Sequence, residues 1–390
     1  MPNLVPDWCS HGIEHSCDAK LVLIGEAPGR REDELKQPFV GESGRALERW
    51  WEPHGLRRSD FYITNVYPYR PPSNKIEAIP KDQLAFWTQR LHERLARLAD
   101  PFVIVPTGNV ALRALFGDYR SISDWRGSII GYQDLNGRTI KVIPTFHPAA
   151  TFRQPILTKF CIADWAKIAH DRTFRELAIP ERTIVVEPSE SEFGSFVLGL
   201  EASSPTIIDG IPVPPVMSVD IETDRRTKEL LCVGFSHRPN EALVLPLSPR
   251  AVGSRTLERM RHYATVLCAS EANKVLQNGQ FDWFHLERNG IPLRNYEYDL
   301  IEMMHCLDPN DGGDVGAGAD SPSGDGIKIS MKSLAVLASL YTRQPFWKHQ
   351  GRQDGQFDWV GLMRYNGIDC CVTREVFDHL YVELVREGRI

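Results

Sequence analysis

The sequence predicts an α/β protein of two domains, and three observations carry that expectation. At 390 residues the chain exceeds the roughly 100–200 residues of one ordinary domain. Short apolar runs alternate with segments whose apolar residues recur every three to four positions, which is the pattern of strands interleaved with helices. Near residue 180 the alternation breaks at Pro180 and a stretch rich in Glu, Ser and Pro, dividing the chain into 1–178 and 179–390.

The first strand is Leu21 to Gly25 (LVLIG), an apolar run closed by Gly and followed by Pro. Phe61 to Asn65 (FYITN), Phe102 to Thr107 (FVIVPT) and Thr139 to Thr145 (TIKVIPT) read as further buried strands. Lys81 to Ala99 has helical periodicity, and a later helical pattern runs on to Ala178. In the second part Thr183 to Val186, Val216 to Ile221 and Leu230 to Phe235 read as strands, and Phe281 to Asn289 and Trp359 to Val385 as helices. No internal repeat is visible. Asp308 to Asp325 holds five Asp and five Gly with no basic residue, so a mobile solvated loop is expected there. It lacks the ligand register of a calcium loop. Functional residues of an open α/β sheet belong at the carboxyl ends of its strands, so the chemistry is expected after LVLIG, FYITN and TIKVIPT.

With 42% hydrophobic and 25% charged residues, composition excludes collagen-like, coiled-coil and wholly disordered chains. No apolar run approaches the roughly 18 residues of a membrane span, and Met1 to Ser10 lacks a basic start followed by an apolar stretch. A cytoplasmic protein with no membrane partner is expected. The eight cysteines are irregularly spaced without a CxxC pair, which suits a reducing compartment and mostly structural thiols. The net charge of −6 is uneven: residues 1–178 carry 24 basic against 21 acidic side chains, and the rest 21 against 30. Neither balance demands nucleic acid, because phosphate contact depends on a local basic face.

Gly25-Glu26-Ala27-Pro28-Gly29 follows the first strand, with Glu32-Asp33, Pro38-Phe39-Val40-Gly41 and Ser43-Gly44 next; Thr64-Asn65-Val66, Arg70-Pro71-Pro72 and His147-Pro148 come later. Singly, each reads as a turn or cap. Together, in this order, they resemble the uracil-DNA glycosylase superfamily, particularly family four, over about residues 20–165. The resemblance implies a three-layer α/β/α domain that extrudes uracil from DNA. Phe39 would stack on the base, and Asn65 would pair with its amide edge, offering an acceptor and two donors. Glu32 would crowd a thymine methyl. Glu26 would orient water and stabilise positive charge on the deoxyribose, and His147 would donate to a uracil oxygen as the base departs. The segment Ala149 to Pro155, with Arg153, would enter the minor groove. Family four carries four cysteines around an iron-sulfur cluster. Tyr69 stands in PYRPP and Lys81 to Arg90 has no cysteine, so no cluster is expected.

In the second part, Asp220-Ile221-Glu222-Thr223 ends an apolar strand and puts two carboxylates on one face. Asn278-Gly279-Gln280-Phe281-Asp282 opens a helix, and Tyr365 and Asp369 lie four apart near the start of the last one. Buried carboxylates are costly without cations. This set resembles the DEDDy 3′-to-5′ exonucleases attached to DNA polymerase I, over roughly residues 182–390, with Ser330 to Ala335 and Tyr298-Asp299-Leu300 as further matches. The resemblance implies an RNase H-like (DnaQ-type) domain with two Mg²⁺ or Mn²⁺ ions, hard cations suited to oxygen ligands. Asp220, Glu222 and Asp369 would hold one, and Asp220 with Asp282 the other. Tyr365 would orient the attacking water, and Asn278 would lie against DNA.

The combined expectation is uracil excision plus trimming of DNA 3′ ends in replication or repair, in a bacterial cell or a virus-infected bacterial host. The chain stops at Ile390, so it would act without a polymerase domain of its own, alone or with a separate DNA polymerase. The alternatives are a glycosylase-like domain that only binds uracil or DNA beside a working exonuclease, and an accessory subunit that serves a polymerase.

Overall fold

The computed structural model describes residues 4–10, 17–117, 120–309, 332–348 and 358–390. Almost all of the expected acidic loop, and the first two residues of 330–335, lie outside them. The chain divides into two compact units that part between Ile179 and Pro180. Among the described residues no helix is long and apolar enough to cross a membrane.

The first unit runs in order β1 (Leu21–Gly25), α1 (Arg30–Leu35), α2 (Glu42–Trp51), β2 (Phe61–Asn65), α3 (Lys81–Arg97), β3 (Val103–Pro106) and α4 (Gly108–Phe116). Then follow α5 (Ile122–Trp125), β4 (Ile130–Gln133), β5 (Thr139–Val142), α6 (Pro148–Arg153) and α7 (Leu157–Asp171). The sheet order is β2-β1-β3-β5-β4, parallel except for the antiparallel edge strand β4. The residues of β1 are wholly buried, as a central parallel strand covered on both faces requires. The chain leaves β1 toward β2 on one side and returns to β3 on the other. The loops after β1 and β3 therefore diverge and leave a crevice at the strands' carboxyl ends. Trp51 of α2 meets Trp165 of α7 edge to face, and both pack on Phe61 of β2.

The expected helix to Ala178 stops at Asp171. The buried Lys141 ammonium accounts for this: Nζ donates to the carbonyls of Asp171 (2.8 Å) and Phe174 (2.6 Å), drawing the chain out of the helical path. The two strands expected to reach Thr107 and Thr145 are continuous only to Pro106 and Val142; beyond Pro144, which has no N–H to give to a ladder, Thr107 and Thr145 pair again as an isolated parallel bridge.

The second unit contains β6 (Thr183–Val186), α8 (Glu190–Glu201), β7 (Thr206–Ile208), β8 (Ile211–Val213), β9 (Met217–Thr223), β10 (Leu230–Arg238) and β11 (Glu241–Pro246). It continues with α9 (Ser254–Cys268), β12 (Lys274–Leu276), α10 (Gly279–Arg288), β13 (Tyr296–Asp299), α11 (Leu300–Leu307), α12 (Leu334–Tyr341) and α13 (Trp359–Arg386). Its main sheet has the order β13-β12-β9-β10-β11-β6. β9, β10 and β11 are antiparallel neighbours, while β12 and β13 run parallel to β9.

Strand β9 decides what each face does. Met217, Val219 and Ile221 enter an apolar core with Met260, Ala264 and Leu267 of α9. Ser218, Asp220 and Glu222 necessarily point the other way, toward α13, where Ser218 Oγ donates to the Cys370 carbonyl (2.7 Å). The strand was expected to end at Ile221; pairing of Thr223 with Leu230 carries it two residues further, so Glu222 sits on a rigid strand. Gly234 of β10 lets α13 come close, since a Cβ there would lie 2.3 Å from Asn366 Oδ1 and 2.7 Å from Cys370 Sγ.

Candidate active sites

In the first unit, Val66 and Tyr67 N–H donate to the carbonyls of Gly25 and Glu26 (both 3.0 Å), continuing the β1–β2 pairing past its ends. Glu26 and Asn65 thus reach the same rim. A Cβ on Gly25 would lie 2.3 Å from Asn65 Oδ1 and 2.6 Å from the Phe39 ring, so the missing side chain is what lets amide and ring meet. Phe39 and His147 face each other with ring centroids 6.2 Å apart. His147 crosses close to Gly108, whose φ of 83° places it in the left-handed region.

Phe39 itself has φ 53°, which costs a bulky residue on the order of 1–3 kcal/mol. Its neighbours hold the backbone there. Glu32 Oε1 accepts from Val40 N (3.1 Å) and Gly41 N (2.7 Å), while Arg58 donates to the carbonyls of Phe39 (2.9 Å) and Pro38 (2.5 Å). Gly44 must be glycine, because a Cβ would fall 1.9 Å from the Phe39 carbonyl oxygen. The Glu32 carboxylate is therefore directed at the loop that carries Phe39. The Asn65 carbonyl is held by Arg94 Nη2 (3.1 Å), and Arg94 is braced by Asp7 and Thr64. No hydrogen bond of the Asn65 side-chain amide occurs among the described residues. Arg58 and Arg94 were not singled out from sequence; they act on backbone carbonyls far away in the chain, which leaves no local motif.

Burial pushes the Glu26 carboxyl up to about 7, helped by Glu77 and opposed by Arg153. Burial and then Arg153 pull His147 down to about 4, so its ring is neutral at physiological pH. His147 Nδ1 accepts from the Ala149 N–H (3.2 Å), which leaves the proton on Nε2, free to donate. Arg153 is exposed at the end of α6 yet acts on both groups. Phe39, Asn65, His147 and Glu26 thus supply a flat apolar face, an amide with both polarities, one N–H donor and a carboxylate, a set matched to a planar heterocycle with an amide edge.

In the second unit, carboxylate oxygens of Asp220, Glu222 and Asp369 lie within 4.8 Å of one another. Asp282 stands beside this group: its Oδ1 accepts from Ile221 N (2.9 Å), which places it at the edge of β9, past the end of the pairing with β12. Burial and then the neighbouring acids raise Asp220 well above the ordinary carboxylate range. Burial followed by Asp369 raises Glu222 to about 8, and burial raises Asp282 to about 7. Asn278 is exposed with φ 61° at the start of α10, where its N–H and that of Gly279 donate to Asp299.

Three residues of this site escaped the sequence reading. Asn366 Nδ2 donates to Asp220 Oδ2 (2.7 Å), Trp347 Nε1 to Asp369 Oδ1 (2.6 Å), and Lys348 Nζ to Asp369 Oδ2 (2.5 Å) and the Tyr365 hydroxyl (2.9 Å). Burial opposes the Lys348 charge, but Asp369, Tyr365 and Asp220 outweigh it and lift its pKa above the ordinary lysine value. Asn366 had a signal, since it precedes Asp369 by three on one helical face. Trp347 and Lys348 precede α13 in irregular chain and had none. The three converging acids with oxygen-only donors fit a hard divalent cation, whose charge relieves the repulsion that raises their pKa values.

Cys9 and Cys17, expected as thiols, form a disulfide with Cα atoms 6.4 Å apart. The bridges Leu4–Tyr69 and Trp8–Ile63 pin the segment before Cys9 to the unit. The remaining cysteine before residue 180 is Cys161, buried in α7. Three cysteines, two of them paired, do not fit the four thiolates of an iron-sulfur cluster.

Residues 13–168 match the family model described as the uracil DNA glycosylase superfamily. The chain is similar to a type-4 uracil-DNA glycosylase of Archaeoglobus fulgidus, 36% identical over 157 residues, covering 38% of this chain and 75% of that protein. It is also similar to one of Thermotoga maritima, 40% identical over 144 residues, covering 36% of this chain and 70% of the relative. A DNA polymerase of Bacillus phage SP01 is 22% identical over 412 aligned residues, covering 95% of this chain and 40% of that protein.

Proposed function

Because the chain belongs to the uracil DNA glycosylase superfamily through residues 13–168, we propose that its first unit excises uracil from DNA. We propose further that its second unit is a metal-dependent 3′-to-5′ exonuclease of RNase H-like fold. The observation that carries the first reading is the meeting of Phe39 and Asn65 at Gly25, with His147 facing the Phe39 ring from beside Gly108 and Glu26 on the same rim as Asn65. An extruded uracil would lie on Phe39, with the Asn65 amide accepting from its N3–H and donating to a carbonyl. His147 Nε2–H would donate to a ring oxygen as negative charge gathers on the leaving base, a contact stronger in the transition state than in the ground state. Glu26, once ionised, would steady the cationic sugar and orient water toward C1′. Cleavage moves the glycosidic electron pair onto the base; water adds to C1′ and gives up a proton that ends on the departing base, leaving neutral uracil and an abasic sugar. Arg153 would sit at the DNA backbone beside the pocket.

For the second unit, the strand order β11-β10-β9-β12-β13 with its antiparallel and parallel halves supports the RNase H-like reading. Asp220, Glu222 and Asp369 would hold one divalent ion and Asp220 with Asp282 a second, supplying charge stabilisation at a phosphodiester and a more acidic water. Tyr365 would orient that water by its hydroxyl, and Asn366 fixes the Asp220 carboxylate. Hydrolysis joins a water oxygen to phosphorus and breaks the bond to the 3′ oxygen, which takes up a proton as a nucleoside 5′-monophosphate is freed. The likeness to a phage DNA polymerase along 95% of the chain favours a setting in DNA replication, with a polymerase as partner.

One gel tests both activities. A 5′-labelled oligonucleotide containing uracil is incubated with the full chain, with Mg²⁺ or with EDTA. Alkali-labile abasic product in both lanes, and a ladder of shortened strands with Mg²⁺ alone, is the expected result. No abasic product refutes the glycosylase, and no ladder refutes the nuclease.

A further inference from the structure

Lys348 lies against the reacting end of the acid cluster. Its Nζ bridges Asp369 Oδ2 (2.5 Å) and the Tyr365 hydroxyl (2.9 Å), and it sits 4.8 Å from the Tyr365 ring centroid. Next to it Trp347 is 1% exposed and tied to Asp369 Oδ1, so the ammonium moves about a fixed stem. Two divalent ions would cancel the charge of Asp220, Glu222, Asp282 and Asp369. A phosphodiester entering such a site brings one further negative charge, costly in a poorly solvated setting unless matched. Lys348 supplies the match. Once cations are held by Asp369, an ammonium on the same carboxylate is repelled from it, whereas the Tyr365 hydroxyl exerts no such repulsion.

We propose that Lys348 is a catalytic residue of the nuclease site, keeping its bond to Tyr365 while its ammonium turns from Asp369 to a non-bridging oxygen of the scissile phosphodiester. This rests on the exonuclease reading above. Negative charge grows on that oxygen as water attacks, so the contact strengthens toward the transition state. The shared bond to Tyr365 also couples the position of the phosphate to the hydroxyl that orients water. A lysine that merely props Asp369 would do neither.

The test uses the full chain, a uracil-free single strand and Ca²⁺ in place of Mg²⁺, with binding read by fluorescence anisotropy. The last linkage of the strand is either an ordinary phosphodiester or an uncharged methylphosphonate. Wild type is expected to prefer the phosphodiester by about tenfold, as a charge-assisted contact implies. Lys348→Met should lose most of that preference and Lys348→Arg should keep it. Mn²⁺ affinity of Lys348→Met, measured by calorimetry, should be unchanged or tighter, while kcat with Mg²⁺ falls about a hundredfold. Equal preference in wild type and Lys348→Met, or weakened Mn²⁺ binding in that variant, overturns the proposal. A wild type that neither binds Mn²⁺ nor shortens the strand instead refutes the nuclease reading, and Lys348 falls with it.

Discussion

Replacing Glu32 with alanine probes the loop that presents Phe39. Glu32 is 9% exposed and its Oε1 accepts two backbone N–H groups, at 3.1 Å and 2.7 Å. Hydrogen bonds to a charged group contribute about 1.5–3 kcal/mol each, so their loss removes about 3 kcal/mol or more. That equals or exceeds the 1–3 kcal/mol that a bulky residue with positive φ costs. Phe39 should then relax out of φ 53°, even with Arg58 still on the carbonyl side. If about 2 kcal/mol of strain is released, the pocket-forming conformer drops about thirtyfold, and kcat/KM for uracil release should fall by the same factor. Thermal unfolding of the first unit should drop by about 6–12 °C. Glu32→Gln, which keeps one acceptor oxygen, should fall between. Single-turnover release of labelled uracil and thymine separates this from direct steric exclusion. If Glu32→Ala releases uracil at the wild-type rate and gains thymine release, Glu32 acts on the base itself and the loop argument fails.

The pH profile of uracil release should show an acid limb near pH 7, because burial raises Glu26 and the ionised form is the active one. Glu77→Gln should move that limb to lower pH and Arg153→Gln to higher pH, while His147, neutral above about 4, adds no second limb between pH 5 and 9; stopped-time release assays decide it. Gly25→Ala should weaken binding of free uracil more than tenfold by driving a methyl between Asn65 and Phe39, as calorimetry would show; unchanged affinity removes Gly25 from the pocket. In EDTA the second unit should lose stability as pH rises from about 4.5 to 8. Its Glu222 and Asp282 have folded pKa values above their unfolded ones, so the folded state binds more protons across that window. Mn²⁺ should remove this slope in thermal melts, and a slope indifferent to metal contradicts a shared cation site.

Much of the architecture could be read locally. LVLIG and FYITN are strands because continuous apolar runs closed by Gly and Asn suit a sheet covered on both faces. The alternation in MSVDIET already implied that Asp220 and Glu222 share a face opposite Val219 and Ile221. Element ends were less legible, since α7 is stopped by a lysine thirty residues earlier in the chain, a contact that no window of sequence contains. The same holds for the sites. The family resemblance carried by the motifs in their order brought forward Phe39, Asn65 and His147, and a second resemblance together with the strand and helix periods the acids, but Arg58 and Arg94 act by gripping carbonyls, and Trp347 and Lys348 by closing on Asp369 across 22 and 21 positions.

What the sequence determined by itself is the chemistry available and the face on which each group stands, because side-chain type and the strand and helix periods are local properties. Tertiary structure alone decided the left-handed φ of Phe39, the raised pKa of Glu26, the lowered pKa of His147 and the ammonium between Asp369 and Tyr365. Strain, desolvation and charge pairing depend on which distant atoms come within a few ångströms, and only the folded chain sets those distances.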